Sequence, residues 1–80
     1  MREVEWTGTA LEDMAALDKG IARRVKQAIE RFADSGAGNL KRLQGHRPAR
    51  LRVGDYRVRF HQRDEVIQVL RVRNRREAYR

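Results

Sequence analysis

Eighty residues, with 19 Lys and Arg against 11 Asp and Glu and a formal charge of +8, leave room for one small core, so residues 1–80 are expected to form a single domain. The lack of cysteine excludes a disulfide framework and a thiolate metal site, and two separated histidines, His46 and His61, give no ligand cluster, so neither metal nor cofactor is expected. Charges at Arg2, Glu3 and Glu5 stand where a signal peptide needs an apolar run, and no apolar stretch of about 18 residues occurs, which points to the cytoplasm and away from a membrane.

In chain order, Val4 and Trp6 alternate with Glu3 and Glu5, the two-residue period of a short strand with one buried face, ending at Thr7-Gly8. Thr9 followed by Glu12 fits a capping box, and Ala10, Leu11, Met14 and Leu17 recur at helical spacing until Asp18-Lys19-Gly20 interrupts them. Ile21, Val25, Ala28, Ile29 and Phe32 then line one face of a longer helix that runs to about Ser35, with Arg23, Arg24, Lys26, Glu30 and Arg31 on the other. Gly36 and Gly38 end it, so residues 10–35 are predicted to form an antiparallel helical hairpin. Residues 37–48 lack a clear period and read as a connector in which Leu40 and Leu43 anchor one turn.

Beyond the connector, residues 50–53 and 56–61 are alternating runs around Gly54-Asp55, a pair suited to a type II′ turn. Residues 66–73 are rich in β-branched side chains, the pattern of a central strand covered on both faces and paired with the strand before it. The order β-α-α-β-β-β predicts an α+β domain, a helical hairpin packed on one face of a mostly antiparallel four-stranded sheet.

A two-residue loop at Gly54-Asp55 fixes the hairpin register: Val53 opposite Tyr56, Arg52 opposite Arg57, Leu51 opposite Val58 and Arg50 opposite Arg59. Leu51, Val53, Tyr56, Val58 and Phe60 then point to the helices, and Arg50, Arg52, Arg57, Arg59 and His61 point the other way. If Leu70 and Val72 join the core, Arg71, Arg73 and Arg75 fall on the arginine face by the same alternation. Like charges directly opposite one another forfeit part of the roughly 0.2–1 kcal/mol that a favourable cross-strand pair gains. A polyanion bound there would relieve the repulsion, which makes nucleic acid the leading partner class. The plainer alternative is a set of arginines that snorkel across exposed sheet into water or meet the acidic side chains of a protein partner.

The charge distribution agrees with the first reading. Residues 1–40 hold six basic and seven acidic side chains, whereas residues 41–80 hold thirteen basic and four acidic ones. Sixteen of the basic residues are Arg, whose planar fork suits bidentate phosphate contacts and base stacking better than the point charge of Lys.

The run Arg50-Leu51-Arg52-Val53-Gly54-Asp55-Tyr56-Arg57-Val58 and the ending Asn74-Arg75-Arg76-Glu77-Ala78-Tyr79-Arg80 resemble the hairpin and terminal segment of the RelE side of the RelE/ParE toxin superfamily. The likeness covers the whole chain, because Trp6, the helical hairpin, Leu40-Lys41-Arg42-Leu43 and the strand over residues 66–72 fall in that family's usual order. The resemblance implies a RelE-like fold and a toxin of a type II toxin–antitoxin pair, many of which cut messenger RNA in the ribosomal A site without a metal. It also implies a cognate antitoxin protein as partner, the ribosome and mRNA as targets, and operator DNA reached only through the antitoxin complex.

Cleavage of that kind uses the RNA 2′-hydroxyl to attack the adjacent phosphate, so it needs a proton acceptor, cations around the phosphate and a donor for the leaving oxygen. By matching motif positions, the resemblance assigns Tyr79 as general base, Arg75 as leaving-group acid or charge stabiliser and Arg57 as phosphate clamp. Arg50 and Arg52 become the basic pair that lowers the tyrosine pKa from about 10. Arg59, Arg71 and Arg73 are the further RNA-binding candidates. The alternative for Tyr79 is an aromatic plug that packs the chain end onto the sheet. Asn74 stands where the family usually carries His, and Arg50 and Arg52 where some relatives carry Lys, which removes proton transfer through lysine but keeps charge stabilisation. His61, at the far end of the basic face, and His46, in the connector, read as surface residues. A non-enzymatic, ParE-like inhibitor of DNA gyrase is the alternative function, and a plain RNA-binding module ranks third.

Overall fold

The computed structural model describes residues 2–41 and 48–74. Strand β1 (Glu3–Trp6) leads into helices α1 (Gly8–Ala15) and α2 (Lys19–Ser35), followed by strands β2 (Asn39–Lys41), β3 (Ala49–Val53), β4 (Tyr56–Arg63) and β5 (Val66–Asn74). Among the described residues the sheet order is β1-β5-β4-β3-β2, with β1 parallel to β5 and the remaining neighbours antiparallel. Helix α1 packs on β5, and α2 on β1 and β3. The predicted α+β architecture and its four principal strands are present. To them the connector adds β2, an edge strand that sets Leu40 opposite Leu51 and is too short for three residues to reveal a period.

Local chemistry explains the helix ends. The α1 cap is Thr7 rather than the predicted Thr9: its Oγ1 accepts from the Ala10 N–H at 3.1 Å. Asp18 caps α2 through the Gly20 N–H at 3.1 Å, and Gly36 closes it by donating to the Phe32 carbonyl at 2.8 Å. Two residues on, Gly38 has φ of 154°, and a Cβ there would sit 2.7 Å from Leu51 Cδ1, so close packing of the segment after α2 against β3 requires glycine.

Both hairpins turn in two residues. Gly54, at φ of 59°, takes the first loop position between Val53 and Tyr56, as a type II′ turn requires. In the second loop the corresponding residue is Asp64, at φ of 51°, a left-handed conformation that Asp tolerates better than most L-residues. The core sits between helices and sheet: Ala10, Val25, Ile29, Phe32 and Ala33 meet Leu51, Val58, Phe60, Ile67, Val69 and Val72. The rings of Phe32 and Phe60 lie 5.2 Å apart at 54°, a tilted aromatic pair at its centre. Strand β5 is central, and among the described residues its helix-facing side is covered while the other side is partly open, with Gln68 exposed.

Candidate functional site

The side of the sheet away from the helices gathers most of the candidate site residues. All four predicted pairs of the β3–β4 hairpin occur, with Arg50 opposite Arg59 and Arg52 opposite Arg57. Strand β5 continues each row, placing Arg71 opposite Arg59 and Arg73 opposite Arg57. Two rows of three arginines therefore cross three adjacent strands, Arg52–Arg57–Arg73 and Arg50–Arg59–Arg71.

The β5 arginines reach these rows only because the strand changes phase. Opposite consecutive Arg59 and Phe60, β5 presents Arg71 and Val69, so Leu70 is the extra residue of a β-bulge. Ile67 and Val69 are buried before the bulge and Val72 after it, while Leu70 is only partly buried. The prediction that Leu70 and Val72 share the core is thus corrected to Val69 and Val72. Unbroken alternation from Val69 would have buried positions 71 and 73 and cast Val72 outward. The bulge keeps Val72 inside and turns Arg73 toward Arg57.

A polar latch on α1 holds the bulged segment. Pairing with β1 ends at Trp6 and Val69, beyond which the edge of β5 would be bare. There Thr7 N–H donates to the Val69 carbonyl at 3.1 Å and Thr7 Oγ1 donates to the Leu70 carbonyl at 3.1 Å. Asp13 Oδ2 accepts from Val72 N–H at 2.9 Å and from Arg71 Nε at 2.9 Å, and its Oδ1 accepts from Arg71 Nη2 at 3.3 Å. The first turns of α1 thus satisfy backbone groups that a neighbouring strand would otherwise satisfy. Neither Thr7 nor Asp13 was foreseen in this role. The available signal was an acid at position 13 beside the apolar stripe Ala10, Met14, Leu17.

The predicted site residues now divide into groups. Arg50, Arg57, Arg59 and Arg73 line one cavity of about 50 Å³. The Nε atoms of Arg50 and Arg73, two of the lining residues, are buried and have no hydrogen-bond partner among the described residues. An unsatisfied buried donor costs about 1–3 kcal/mol, and an anion seated in the cavity would meet the guanidinium charges of the same side chains. Arg52 turns back on its own hairpin, donating from Nε to the Gly54 carbonyl at 3.1 Å. Arg71 is drawn over the sheet edge to Asp13. Arg75, Tyr79 and His46 lie outside the described residues, while His61 is placed on the same open side as the arginines, two positions beyond Arg59 on β4.

Comparison with known proteins agrees with this geometry. The family model described as the ParE toxin of the type II toxin–antitoxin system, parDE, matches residues 4–79. The chain belongs to this family and is a RelE/ParE-type toxin of a type II toxin–antitoxin system. Among solved structures it is similar to a chain of the RelB–RelE antitoxin–toxin complex from Methanococcus jannaschii, at 26% identity over 94% of each chain with a TM-score of 0.77. A chain of the archaeal RelE–RelB complex from Pyrococcus horikoshii OT3 matches at 23% identity over 92% of this chain and 94% of that one, with a TM-score of 0.79. YafQ from E. coli strain BL21(DE3) shares the fold at 13% identity over 100% of both chains, with a TM-score of 0.76. No curated protein matches the chain.

Proposed function

We propose that this toxin is a metal-independent, ribosome-dependent mRNA endoribonuclease that uses the RNA 2′-hydroxyl as its nucleophile. The observation that carries the reading is the convergence of Arg50, Arg57, Arg59 and Arg73 on one small cavity, two of them with a buried Nε–H that finds no acceptor among the described residues. In the reaction the 2′-oxygen bonds to phosphorus and the bond from phosphorus to the 5′-oxygen breaks, leaving a 2′,3′-cyclic phosphate and a 5′-hydroxyl. The arginines hold the phosphate oxygens and stabilise the charge of the pentacoordinate state, with Arg57 as the clamp. Tyr79 takes the 2′-hydroxyl proton, and Arg75 protonates the leaving oxygen or stabilises its charge; both roles rest on the terminal motif. Arg52 and Arg71, engaged by Gly54 and Asp13, serve at the rim as secondary backbone contacts.

A cognate antitoxin is the protein partner this reading assigns, in keeping with the RelB–RelE complexes among the similar structures. Its acidic residues would compete with RNA for the arginine cavity or displace Tyr79. Operator DNA would be reached only through that complex, and the ribosomal target places the toxin in the cytoplasm.

The test is an in vitro translation reaction in which cleavage of A-site codons is mapped by primer extension. Arg57→Ala and Tyr79→Phe should each lower cleavage by about 100-fold or more, with circular dichroism showing an intact fold. Undiminished cleavage by both variants would overturn the proposal. Inhibition of gyrase supercoiling with mRNA left intact would identify the non-enzymatic alternative instead.

A further inference from the structure

The open face has a second half that the arginine cavity does not use. N-terminal to the bulge, β1, β5 and β4 align Glu5, Gln68 and His61 in one row and place Val66 opposite Arg63 in the next. With Asp64 of the adjoining turn, these residues line a groove of about 290 Å³. Glu5, Gln68, Arg63 and Asp64 are exposed, and none of the six belongs to the core cluster.

We propose that this groove is a nucleobase subsite for the RNA strand whose phosphate occupies the arginine cavity, a base stacking over Val66 and His61 while Glu5 and Gln68 read its edge. The inference rests on the RNA reading above and adds to it a location for base discrimination. Three features lead to it. His61 follows Arg59 on the same side of β4 at a distance of about 7 Å, a span one nucleotide can bridge between a held phosphate and a neighbouring base. The charge pattern then separates the parts of the nucleotide. Arg63 offsets one of the two acids, so Glu5, Asp64 and Arg63 together leave the groove one net negative charge against the four arginines of the cavity, which keeps the backbone at the arginine end. A carboxylate and an amide accept from the amino groups that distinguish cytosine and adenine edges. Finally, the groove lies at the lower end of small-ligand pocket volumes, which suits one splayed base rather than a duplex.

The experiment is equilibrium binding of uncleavable 2′-O-methyl RNA trinucleotides that differ in one base, run beside the cleavage mapping. Wild-type affinities should differ by about fivefold or more between the best and worst base, the range of one side-chain pair to a base edge. Glu5→Gln, which keeps shape but exchanges an acceptor for a donor, and Gln68→Ala should bring that ratio toward one without lowering the melting temperature. Equal wild-type affinities, or a ratio unchanged in both variants, would overturn the subsite. Base-dependent binding that responds to Glu5→Gln in a protein that cleaves no RNA would remove the enzymatic reading and retain the groove.

Discussion

The two sides of strands β3 to β5 are built from alternate residues of the same segments, yet they obey opposite rules. Toward the helices, Leu51, Val58, Phe60, Ile67, Val69 and Val72 are buried together, and each adds apolar area to one core. Toward the open side, Arg50, Arg57, Arg59 and Arg73 are gathered despite like charge, and two buried donors find no acceptor among the described residues. The core and the proposed site are thus separated by the two-residue period of a strand. The Leu70 bulge is where β5 exchanges the residues assigned to each side.

That contrast can be broken most forcefully from the covered side. Phe60→Ala removes the ring packed on Phe32 and should destabilise the fold by about 3–5 kcal/mol, read as a lower urea midpoint. Next comes the latch. Asp13→Ala leaves the Val72 N–H without its acceptor and should lower stability by about 1–3 kcal/mol. The ion pair itself adds little to this loss, because the Arg71 side chain is 39% exposed. RNA cleavage should fall as well, since Arg73 depends on the bulge; Asp13→Asn, which keeps an acceptor for Val72, should lose less of both. On the open side the sign reverses. Arg59→Gln, at a position between Arg50 and Arg71, should leave the protein as stable or more stable by up to about 1 kcal/mol while impairing cleavage. The smallest effect should be Asp64→Gly, which relieves a positive φ and raises stability by about 0.5 kcal/mol in the same unfolding measurement.

Much of this contrast was legible in the sequence, because a two-residue hairpin loop leaves little freedom. Gly54-Asp55 fixed four cross-strand pairs, and with them the side on which every β3 and β4 residue lies. The helices were legible from their apolar stripes, although the α1 cap moved to Thr7, a threonine two residues earlier that also bonds to β5. What escaped was tertiary. The parallel pairing of β1 with β5 joins segments more than sixty residues apart and leaves no local pattern. The bulge did leave a trace: apolar residues fall at 67 and 69, then at 70 and 72, and the adjacent pair Val69-Leu70 marks the change of phase. Arg52 and Arg71 were placed on the correct side by alternation, but their side-chain partners, the Gly54 carbonyl and Asp13, are set by a turn and by another element.

On the proposed reading, the arginine cavity holds the RNA backbone. The most direct test is the salt dependence of binding to an uncleavable 2′-O-methyl RNA strand, measured for the wild type and for Arg50→Gln, Arg57→Gln, Arg59→Gln and Arg73→Gln. Each variant should weaken binding and reduce the slope of log affinity against log salt by about 0.7, the release accompanying one single-strand phosphate contact. A slope unchanged by all four substitutions, in proteins that remain folded, would contradict it.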